Sequence, residues 1–318
     1  MPKTISEARI SRRLRFRDLQ VLFAVVRCGS MAKAAAELGV TQPAVSEFIA
    51  DLEDAFGVRL FDRSPQGAVP TIYGRALLKR GIAAFDELKQ GIRDIEFLAD
   101  PNNGEVRIGC PDSIAGAILV PMVQKFCRDY PGIALTVDSV ATPTLELPEL
   151  HARKLDVVLA WLAKPQVDHP FGDDLSVEIL FDDDVIIAAG TNSCWARRRK
   201  IKLADLLDAS WVGTPRQTFS TRLLEQAFQA SNLPMPKMHM MTFSVLVRAH
   251  LVATGDFLSA MPKSMLRINP ECSGIRELPI KLPTSRFPVA IVTLKGRTLT
   301  PAVELFLESL RAYVKSFA

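Results

Sequence analysis

The feature that most constrains the fold is a run of three short amphipathic helices, each followed by a glycine, within residues 16–57. In LRFRDLQVLFAVVRCGS, apolar residues recur at helical spacing until Gly29 ends the pattern. The alanine-rich stretch MAKAAAEL follows, and Gly39 supplies the left-handed turn that leaves it. Thr41 then caps a third helix, with Pro43 in its first turn. Two short helices joined by a glycine turn predict a helix-turn-helix.

The third helix has two distinct faces. Its apolar positions repeat with a period of about 3.6 and predict a buried side; they are Ala44, Val45, Phe48, Ile49, Leu52 and Phe56. Gln42, Ser46, Glu47 and Ala50 point the other way. We therefore expect this second face to meet whatever the helix binds.

A hairpin follows the third helix. Residues 58–63 and 68–70 are extended in character and are separated by a Ser-Pro-Gln-Gly turn. A hairpin at this place is a wing, and Arg59 and Arg63 are its natural contacts to phosphates or the minor groove. The arginines near the start of the chain either attract a phosphate backbone or form a solvated tail; they are Arg9, Arg12, Arg13, Arg15 and Arg17.

This stretch, from FRDLQVLF to TIYGRALL, resembles the DNA-binding domain of LysR-type transcriptional regulators almost position by position. The segments AAAELGVTQPAVS and LEDAFGVRLFDR carry the resemblance most specifically. The resemblance implies that Thr41, Gln42, Pro43 and Ser46 approach the major groove, that Arg63 and Thr71 contact backbone near the wing, and that Lys33 contacts a phosphate.

One position departs from the family pattern. The residue after Ser46 is commonly arginine in the family, and here it is Glu47. A glutamate can accept a hydrogen bond from cytosine N4, which would alter the base preference. Alternatively, Glu47 points to solvent or pairs with a neighbouring arginine.

Residues 72–99 contain no proline and predict one long helix. Its apolar residues form a narrow stripe that is typical of a coiled-coil-like dimerising helix: Leu77, Ala84, Leu88, Ile92 and Ile95. The alternative is an amphipathic helix packed on its own domain. The resemblance favours pairing and implies a homodimer or homotetramer. Residues 100–104, DPNNG, break the helix and mark a domain boundary.

Beyond this boundary strands and helices alternate, which indicates α/β layers. GEVRIG, LVPMVQKFCRDYPGI, LDVVLAW and AMPKSML resemble the LysR effector domain and type 2 periplasmic binding proteins. We expect an α/β protein overall, with an all-α winged helix-turn-helix at 1–71, a linker helix at 72–100 and a two-lobed effector domain at 104–318. Lobe I would comprise about 104–163 and 280–318, and lobe II about 164–279.

Ligands of two-lobed α/β folds bind in the cleft at strand and helix ends. The predicted contacts are Asp112, Ser113, Thr142, Thr144 and Trp161 on one side, and Thr214, Thr218, Ser220 and Ser244 on the other. Each hydroxyl could equally be a helix cap. A cleft-facing Asp112 would repel a carboxylate and suit a hydroxyl-rich or amine-bearing ligand. The stretch VRAHLVATGDFLSAMPKSMLR resembles regulators related to the galactose-binding-protein regulator, which implies a sugar-like effector or another small metabolite.

Other classes of function have little support. The four histidines are far apart, no common catalytic motif occurs, and neither an enzyme nor a cofactor is expected. His250 is interpreted as a core or interface residue, and residues 182–184 as a charged turn at a strand edge. Five scattered cysteines suit reduced thiols, and a redox sensor would need Cys194 and Cys272 to be close. No signal-peptide core or membrane-length apolar run is visible, so a cytoplasmic protein without membrane contact is expected.

These features together predict a ligand-responsive transcriptional regulator. A dimer or tetramer would sit on double-stranded promoter DNA, and a small molecule in the cleft would shift the arrangement of lobes and subunits. The DNA-binding helices would follow and change access for RNA polymerase, directly or indirectly.

Overall fold

A computed structural model of the chain describes residues 14–64, 67–140, 147–162, 174–268, 274–282 and 286–316. The chain divides into two compact units, Met1–Lys89 and Gln90–Ala318. No helix within the described ranges is both long enough and apolar enough to cross a membrane.

The first unit contains three helices and a hairpin, followed by the start of a long helix. In chain order these are α1 (Phe16–Cys28), α2 (Met31–Leu38), α3 (Gln42–Phe56), β1 (Phe61–Ser64), β2 (Gly67–Pro70) and α4 (Ile72–Ala99). The two predicted glycine endings are confirmed, because Gly29 and Gly39 have φ angles of 65° and 67°, and Gly57 ends α3 in the same way with a φ of 68°. The left-handed conformation costs glycine little, which is why each helix ends there.

The core of this unit is formed by the inner faces of α1, α2 and α3. Leu22, Val25, Ala34, Val45 and Ile49 are fully buried. The hairpin closes over the α1–α2 turn, where the backbone N–H of Ala68 donates to the carbonyl of Gly29 at 2.9 Å. A Cβ on Gly67 would lie 2.3 Å from that carbonyl oxygen, so only glycine permits this approach.

Helix α4 has the predicted length, and its two sides differ in burial. Leu88, Ile92 and Ile95 share one face and are 49%, 57% and 69% exposed. Gln90 is buried on the opposite face, and Phe97 packs against the core of the second unit. These three residues of the predicted stripe are therefore not packed on the chain's own domain.

The second unit is an α/β structure built on one mixed sheet. Its strands are β3 (Gly104–Cys110), β4 (Ile133–Ser139), β5 (Val157–Trp161), β6 (Leu175–Gly190), β7 (Ser210–Gly213), β8 (Met238–Met241), β9 (Phe257–Pro262), β10 (Ile275–Glu277) and β11 (Arg286–Leu294). The sheet order is β4-β3-β5-β11-β6-β9-β7-β8, with β10 also paired to β6. β3 pairs with β4 and β5, and β7 with β8 and β9, in parallel; β6 and β11 run antiparallel to their neighbours.

Helices cover this sheet. They are α5 (Asp112–Ile114), a π-helical turn (Ala115–Leu119), α6 (Val120–Asp129), α7 (Pro148–His151), α8 (Phe219–Ala230), α9 (Val245–Ala253), α10 (Ser264–Ile268) and α11 (Pro301–Lys315), with short 3-10 turns at Trp195–Arg197 and Leu203–Leu206. The sequence predicts one helix from 114 to 129; the structure has the π turn directly before Pro121. Proline cannot donate the usual i→i−4 hydrogen bond, which accounts for the irregular turn.

Strand β6 changes its pairing partner along its length. Its first part, up to Asp184, pairs with β11, and from Val185 onward it pairs with β9. The expected boundary between the lobes near residue 164 lies outside the described residues. The expected turn at residues 182–184 is wrong, because these residues continue the strand. Asp183 is buried there and accepts hydrogen bonds from the backbone N–H of Ser264 at 3.1 Å and its Oγ at 2.5 Å.

A buried charged cluster ties the end of α4 to the sheet. Asp156 is almost fully buried, and its Oδ1 accepts from Nη2 of Arg107 at 2.7 Å and Nη2 of Arg297 at 2.9 Å. When the side-chain amide of Gln90 is turned so that its oxygen faces Arg297, that oxygen accepts hydrogen bonds from Nε and Nη2 of Arg297 at 3.1 and 3.0 Å. Removing one member of such a cluster costs roughly 3–5 kcal/mol, because a buried charge loses its compensation.

Candidate functional site

The start of α3 is exposed in the helix-turn-helix. Thr41 is extended, with φ −81° and ψ 150°, and its Oγ1 accepts from the backbone N–H of Ala44 at 3.4 Å. This N-cap fixes where the helix begins. Gln42 and Pro43 occupy its exposed first turn, with Pro43 where a missing N–H costs nothing.

The next turn of α3 carries the position that departs from the family pattern. Ser46 is half-buried, whereas Glu47 is exposed and makes no ion pair with any described residue. Of the alternatives for Glu47, pairing with a neighbouring arginine is therefore not found within the described ranges. Lys33 is exposed on α2.

The hairpin is held to α3 by one glutamate. Oε1 of Glu53 accepts the backbone N–H groups of Leu60 and Phe61 at 2.7 and 3.1 Å. Its Oε2 lies 3.3 Å from Nη2 of Arg63, whose side chain is exposed. Arg59, the other predicted wing cation, is also exposed. The sequence analysis missed Glu53, although a glutamate among the apolar positions of α3 is a usable signal.

Thr71 links the wing to α4. Its hydroxyl donates to the carbonyl of Arg59 at 2.8 Å and accepts from the backbone N–H of Gly74 at 3.1 Å. Thr71 is thus the N-cap of α4, and its hydroxyl already serves the fold. Arg75, which the sequence analysis did not single out, donates from Nη1 to the carbonyl of Pro70 at 2.7 Å and is exposed beside the wing.

The second unit contains a cavity of about 290 Å³ that brings together many of the predicted cleft residues. Those lining it are Asp112, Ser113, Trp161, Thr214, Thr218 and Ser220. They come from the ends of β3, β5 and β7 and from the first turns of α5 and α8.

Of the other predicted cleft residues, one is described and two are not. Ser244 does not line the cavity, because its hydroxyl caps α9 by accepting from the backbone N–H of Val247 at 3.3 Å. Its chain neighbours Phe243 and Val245 line the wall instead. Thr142 and Thr144 lie outside the described residues.

Threonine hydroxyls form a connected group on the cavity wall. Thr214 and Thr218 share a short hydrogen bond between their Oγ1 atoms, and Thr218 also donates to the carbonyl of Pro215 at 2.8 Å. Thr221, which is buried, donates to the carbonyl of Thr214 at 2.7 Å. The group is internally satisfied, yet the hydroxyls of Thr214 and Thr218, which line the cavity, keep acceptor capacity for a ligand.

The cavity also contains cations that the sequence analysis missed. Arg248 is 2% exposed and Arg222 is exposed, and both line the wall. A signal was present: Val245, Arg248, Ala249 and Val252 follow the i, i+3, i+4, i+7 spacing of a buried helix face, with an arginine in an apolar position. His250, expected in the core or an interface, is exposed on the other side of α9, so the core alternative is wrong and the interface alternative stays a prediction.

Aromatic rings form one side of the cavity. Trp161 stacks on Phe287 with ring centroids 4.5 Å apart, and Phe219 packs on the same ring at 4.6 Å. Trp161 and Phe219 line the cavity. Nε1 of Trp161 is buried and has no hydrogen-bond acceptor among the described residues.

Cys110 ends β3 next to the cavity. Burial, with a smaller contribution from the charge of Asp112, raises the pKa of its thiol to about 12. Cys194 is exposed, while Cys272 lies outside the described residues, so their separation is not described. In the described part of the chain, no three His, Cys, Asp or Glu side chains are grouped as a metal site requires.

Comparisons with known proteins agree for both units. Residues 16–75 match the family described as bacterial regulatory helix-turn-helix protein, lysR family, and residues 99–315 match the LysR substrate binding domain. The chain is 30% identical over 248 residues to the HTH-type transcriptional regulator TdcA of Escherichia coli (strain K12), covering 78% of this chain and 77% of TdcA. It is 25% identical over 301 residues to the regulator GbpR of Azospirillum brasilense, covering 94% and 86%.

Solved structures share the fold. Full-length CbnR in complex with its target DNA has a TM-score of 0.61 at 20% identity, covering 94% of this chain and 100% of CbnR. Full-length OxyR from Pseudomonas aeruginosa has a TM-score of 0.61 at 20% identity, covering 93% and 97%.

Proposed function

This chain belongs to the LysR family of transcriptional regulators, and from that premise we propose how its two sites act together. The first unit binds promoter DNA, and a small molecule in the cavity of the second unit changes transcription. The observation that carries the proposal is that one chain combines an exposed first turn of α3 beside a wing with a cavity containing a buried cation. In this proposal the parts are residues 1–71 for DNA, 72–100 for pairing and 104–318 for the effector.

On DNA, the first turn of α3 enters the major groove. Thr41, Gln42, Pro43 and Ser46 are the proposed groove residues, and Lys33, Arg63 and Thr71 the proposed backbone contacts. Gln42 is the side chain best suited to read a base, because it is exposed and its amide can bond adenine in bidentate fashion. Glu47, exposed one turn later, accepts from cytosine N4.

The chain pairs with a second copy through α4. The exposed face of Leu88, Ile92 and Ile95 supports this, since apolar side chains at this spacing gain stability by packing against an equivalent helix. A symmetric dimer would present two recognition helices to two half-sites, and two dimers would form the tetramer.

The effector acts by preferring one arrangement of the lobes over another. Differential affinity is what makes such a shift possible, and it obliges operator DNA to change effector affinity by the same factor. The moved α4 helices alter the DNA and the access of RNA polymerase. Residues from both lobes line the cavity, which supports a coupling between its occupancy and the lobe arrangement.

DNA binding provides the direct test. The full chain is titrated with the intergenic DNA beside its own gene and with a scrambled duplex of equal length, by fluorescence anisotropy over a salt series. Gln42→Ala should reduce the preference for the intergenic DNA by about tenfold, because it removes a base contact. Arg63→Ala should weaken binding to both duplexes alike and lower the salt slope by about 1, because it removes a phosphate contact.

A matched control is Arg197→Ala, an exposed arginine of the second unit that should leave both titrations unchanged. Failure of the wild-type chain to bind either duplex at low salt would contradict the proposal.

A further inference from the structure

We propose that the cavity of the second unit takes a small carboxylic acid, with the carboxylate against Arg248. This inference rests on the proposed function, in which the cavity is the effector site, and adds the chemical class of the effector. Three features of the cavity wall favour an anionic ligand, and another favours a ligand that carries hydrogen-bond acceptors.

The first feature is the burial of Arg248. Its side chain lies on the inner face of α9, 2% exposed, and it lines the cavity. A guanidinium stays protonated at every physiological pH, so the cavity wall carries a permanent positive charge. Attraction between charges grows as the surroundings become less polar, and a carboxylate matches the planar fork of an arginine.

The second feature is the indole of Trp161. Its Nε1–H is buried, and none of the described residues accepts a hydrogen bond from it. Indole nitrogen can only donate, and a buried donor is costly unless an acceptor reaches it. A ligand oxygen would satisfy this donor if a small shift of the neighbouring atoms opened it to the cavity that Trp161 lines, so the donor favours a ligand with acceptor atoms.

The third feature is the start of α8. Phe219 and Ser220, the first residues of this 12-residue helix, line the cavity. The N-terminal end of a helix carries a partial positive charge and unpaired backbone N–H groups, which favour an anion.

The fourth feature is the balance of charges at the wall. Among the described residues that line the cavity, two are arginines, Arg222 and Arg248, and one is a carboxylate, Asp112. Asp112 and Arg222 are exposed, so water and salt screen them, whereas Arg248 is buried. The expectation that Asp112 would exclude a carboxylate is therefore outweighed, and Asp112 remains suited to accept a hydroxyl of the ligand.

The body of the acid is limited by the size and walls of the cavity. About 290 Å³ accommodates one aromatic ring or a molecule of monosaccharide size. Trp161 and Phe219, braced by Phe287, offer flat surfaces that suit either an aromatic ring or the apolar side of a hydroxylated chain. The shared chemistry is the carboxylate.

Two pairs of probes distinguish these bodies and isolate the charge. Isothermal titration calorimetry of the full chain compares benzoate with benzamide, and gluconate with glucose. In at least one pair, the acid should bind at least about tenfold more tightly than its neutral partner. A difference of this size corresponds to one charge-assisted interaction. Arg248→Gln should reduce this ratio to near 1, whereas Arg222→Gln, at an exposed position, should change it by less than about threefold.

A second variant protects the test against misfolding of Arg248→Gln. Trp161→Phe keeps an aromatic ring against Phe287 and removes the donor together with part of the indole, so binding of the preferred acid should weaken several-fold. Equal affinity for acid and neutral partner in both pairs would overturn the inference. So would the absence of saturable binding by either acid at about 10 mM, or an unchanged preference in Arg248→Gln.

The same preparations are assayed for binding to the intergenic DNA. Intact DNA binding without any preference for an acid would refute the ligand class and leave the proposed function standing. If the wild-type chain did not bind DNA, that result would instead refute the proposed function itself.

Discussion

Nη2 of Arg63 in the hairpin lies 3.3 Å from Oε2 of Glu53 in α3. The other oxygen of this carboxylate accepts the backbone N–H groups of Leu60 and Phe61. One side chain of α3 therefore fixes the path of the hairpin and orients an arginine that is proposed to contact DNA.

Glu53→Ala should destabilise the first unit by about 1–3 kcal/mol, because two part-buried backbone donors lose their acceptor. Glu53→Gln replaces the accepting carboxylate oxygen by an amide oxygen, which can still accept both hydrogen bonds. Its loss of stability should therefore be clearly smaller. All three tryptophans lie in the second unit, so tryptophan emission follows the unfolding of that unit. A loss of helical circular dichroism that precedes the change in emission therefore measures the unfolding of the first unit. Equal midpoints in urea for the two variants would contradict this role for Glu53.

Ile92→Glu should dissociate the oligomer, because it places a charge in the middle of the exposed apolar face of α4. Light scattering coupled to size-exclusion chromatography should show a mass near that of a single chain, 35.1 kDa, at micromolar concentration. Lys89→Gln changes an exposed residue outside the stripe and should leave the mass at that of the wild type. An unchanged mass for Ile92→Glu would place the pairing surface elsewhere.

The stability of the second unit should depend on the protonation of Asp183. Burial raises the pKa of this carboxyl, against a lowering by the hydrogen bonds from Ser264. A pKa raised by folding favours the native state fully below the ordinary aspartate value of about 3.9, and this contribution is lost as the pH rises through the folded pKa. Relative to Asp183→Asn, the wild type should therefore lose stability as the pH rises from about 4.

Urea unfolding followed by tryptophan emission measures this difference. Ser264→Ala serves as the matched variant: it removes a hydrogen bond that lowers the pKa of Asp183, so the loss of stability should continue to higher pH. A pH-independent difference between wild type and Asp183→Asn would show that the carboxyl has the same pKa in both states.

Cys110 should resist alkylation in the folded protein. With a pKa of about 12, only about one thiol in ten thousand is ionised near pH 8, and the thiolate is the reactive form. Cys127 and Cys194 are exposed and should react first with iodoacetamide, as followed by peptide mass spectrometry. Denaturation in urea should make Cys110 as reactive as the others. Early labelling of Cys110 in the native chain would contradict its burial.

Features set by neighbouring residues were predictable from the sequence. The glycine endings at Gly29 and Gly39, the Thr41 cap and the length of α4 depend on local backbone preferences that each residue carries with it. The resemblance of the stretch from FRDLQVLF to TIYGRALL predicted the family of this helix-turn-helix, and the match of residues 16–75 confirms the family. Which residues contact DNA stays a prediction.

Features set by distant contacts were not predictable in the same way. Residues 182–184 resemble a turn, but pairing with β11 keeps them extended and Ser264 compensates the buried carboxylate of Asp183. Ser244 resembles a cleft residue, but its hydroxyl caps α9. Arg248 escaped notice because its role depends on which face of α9 the sheet covers.

The contact between Gln90 and Arg297 bears on how such proteins can be recombined. Gln90 belongs to α4, yet its amide is held by an arginine that also bonds Asp156 in the second unit. A hybrid regulator joined at residues 100–104 would take its last helical turns from a foreign parent and lose this acceptor. A hybrid joined between Lys89 and Gln90 would keep those turns together with the unit that anchors them. The natural boundary between the two units therefore lies inside a helix and not in the loop that follows it.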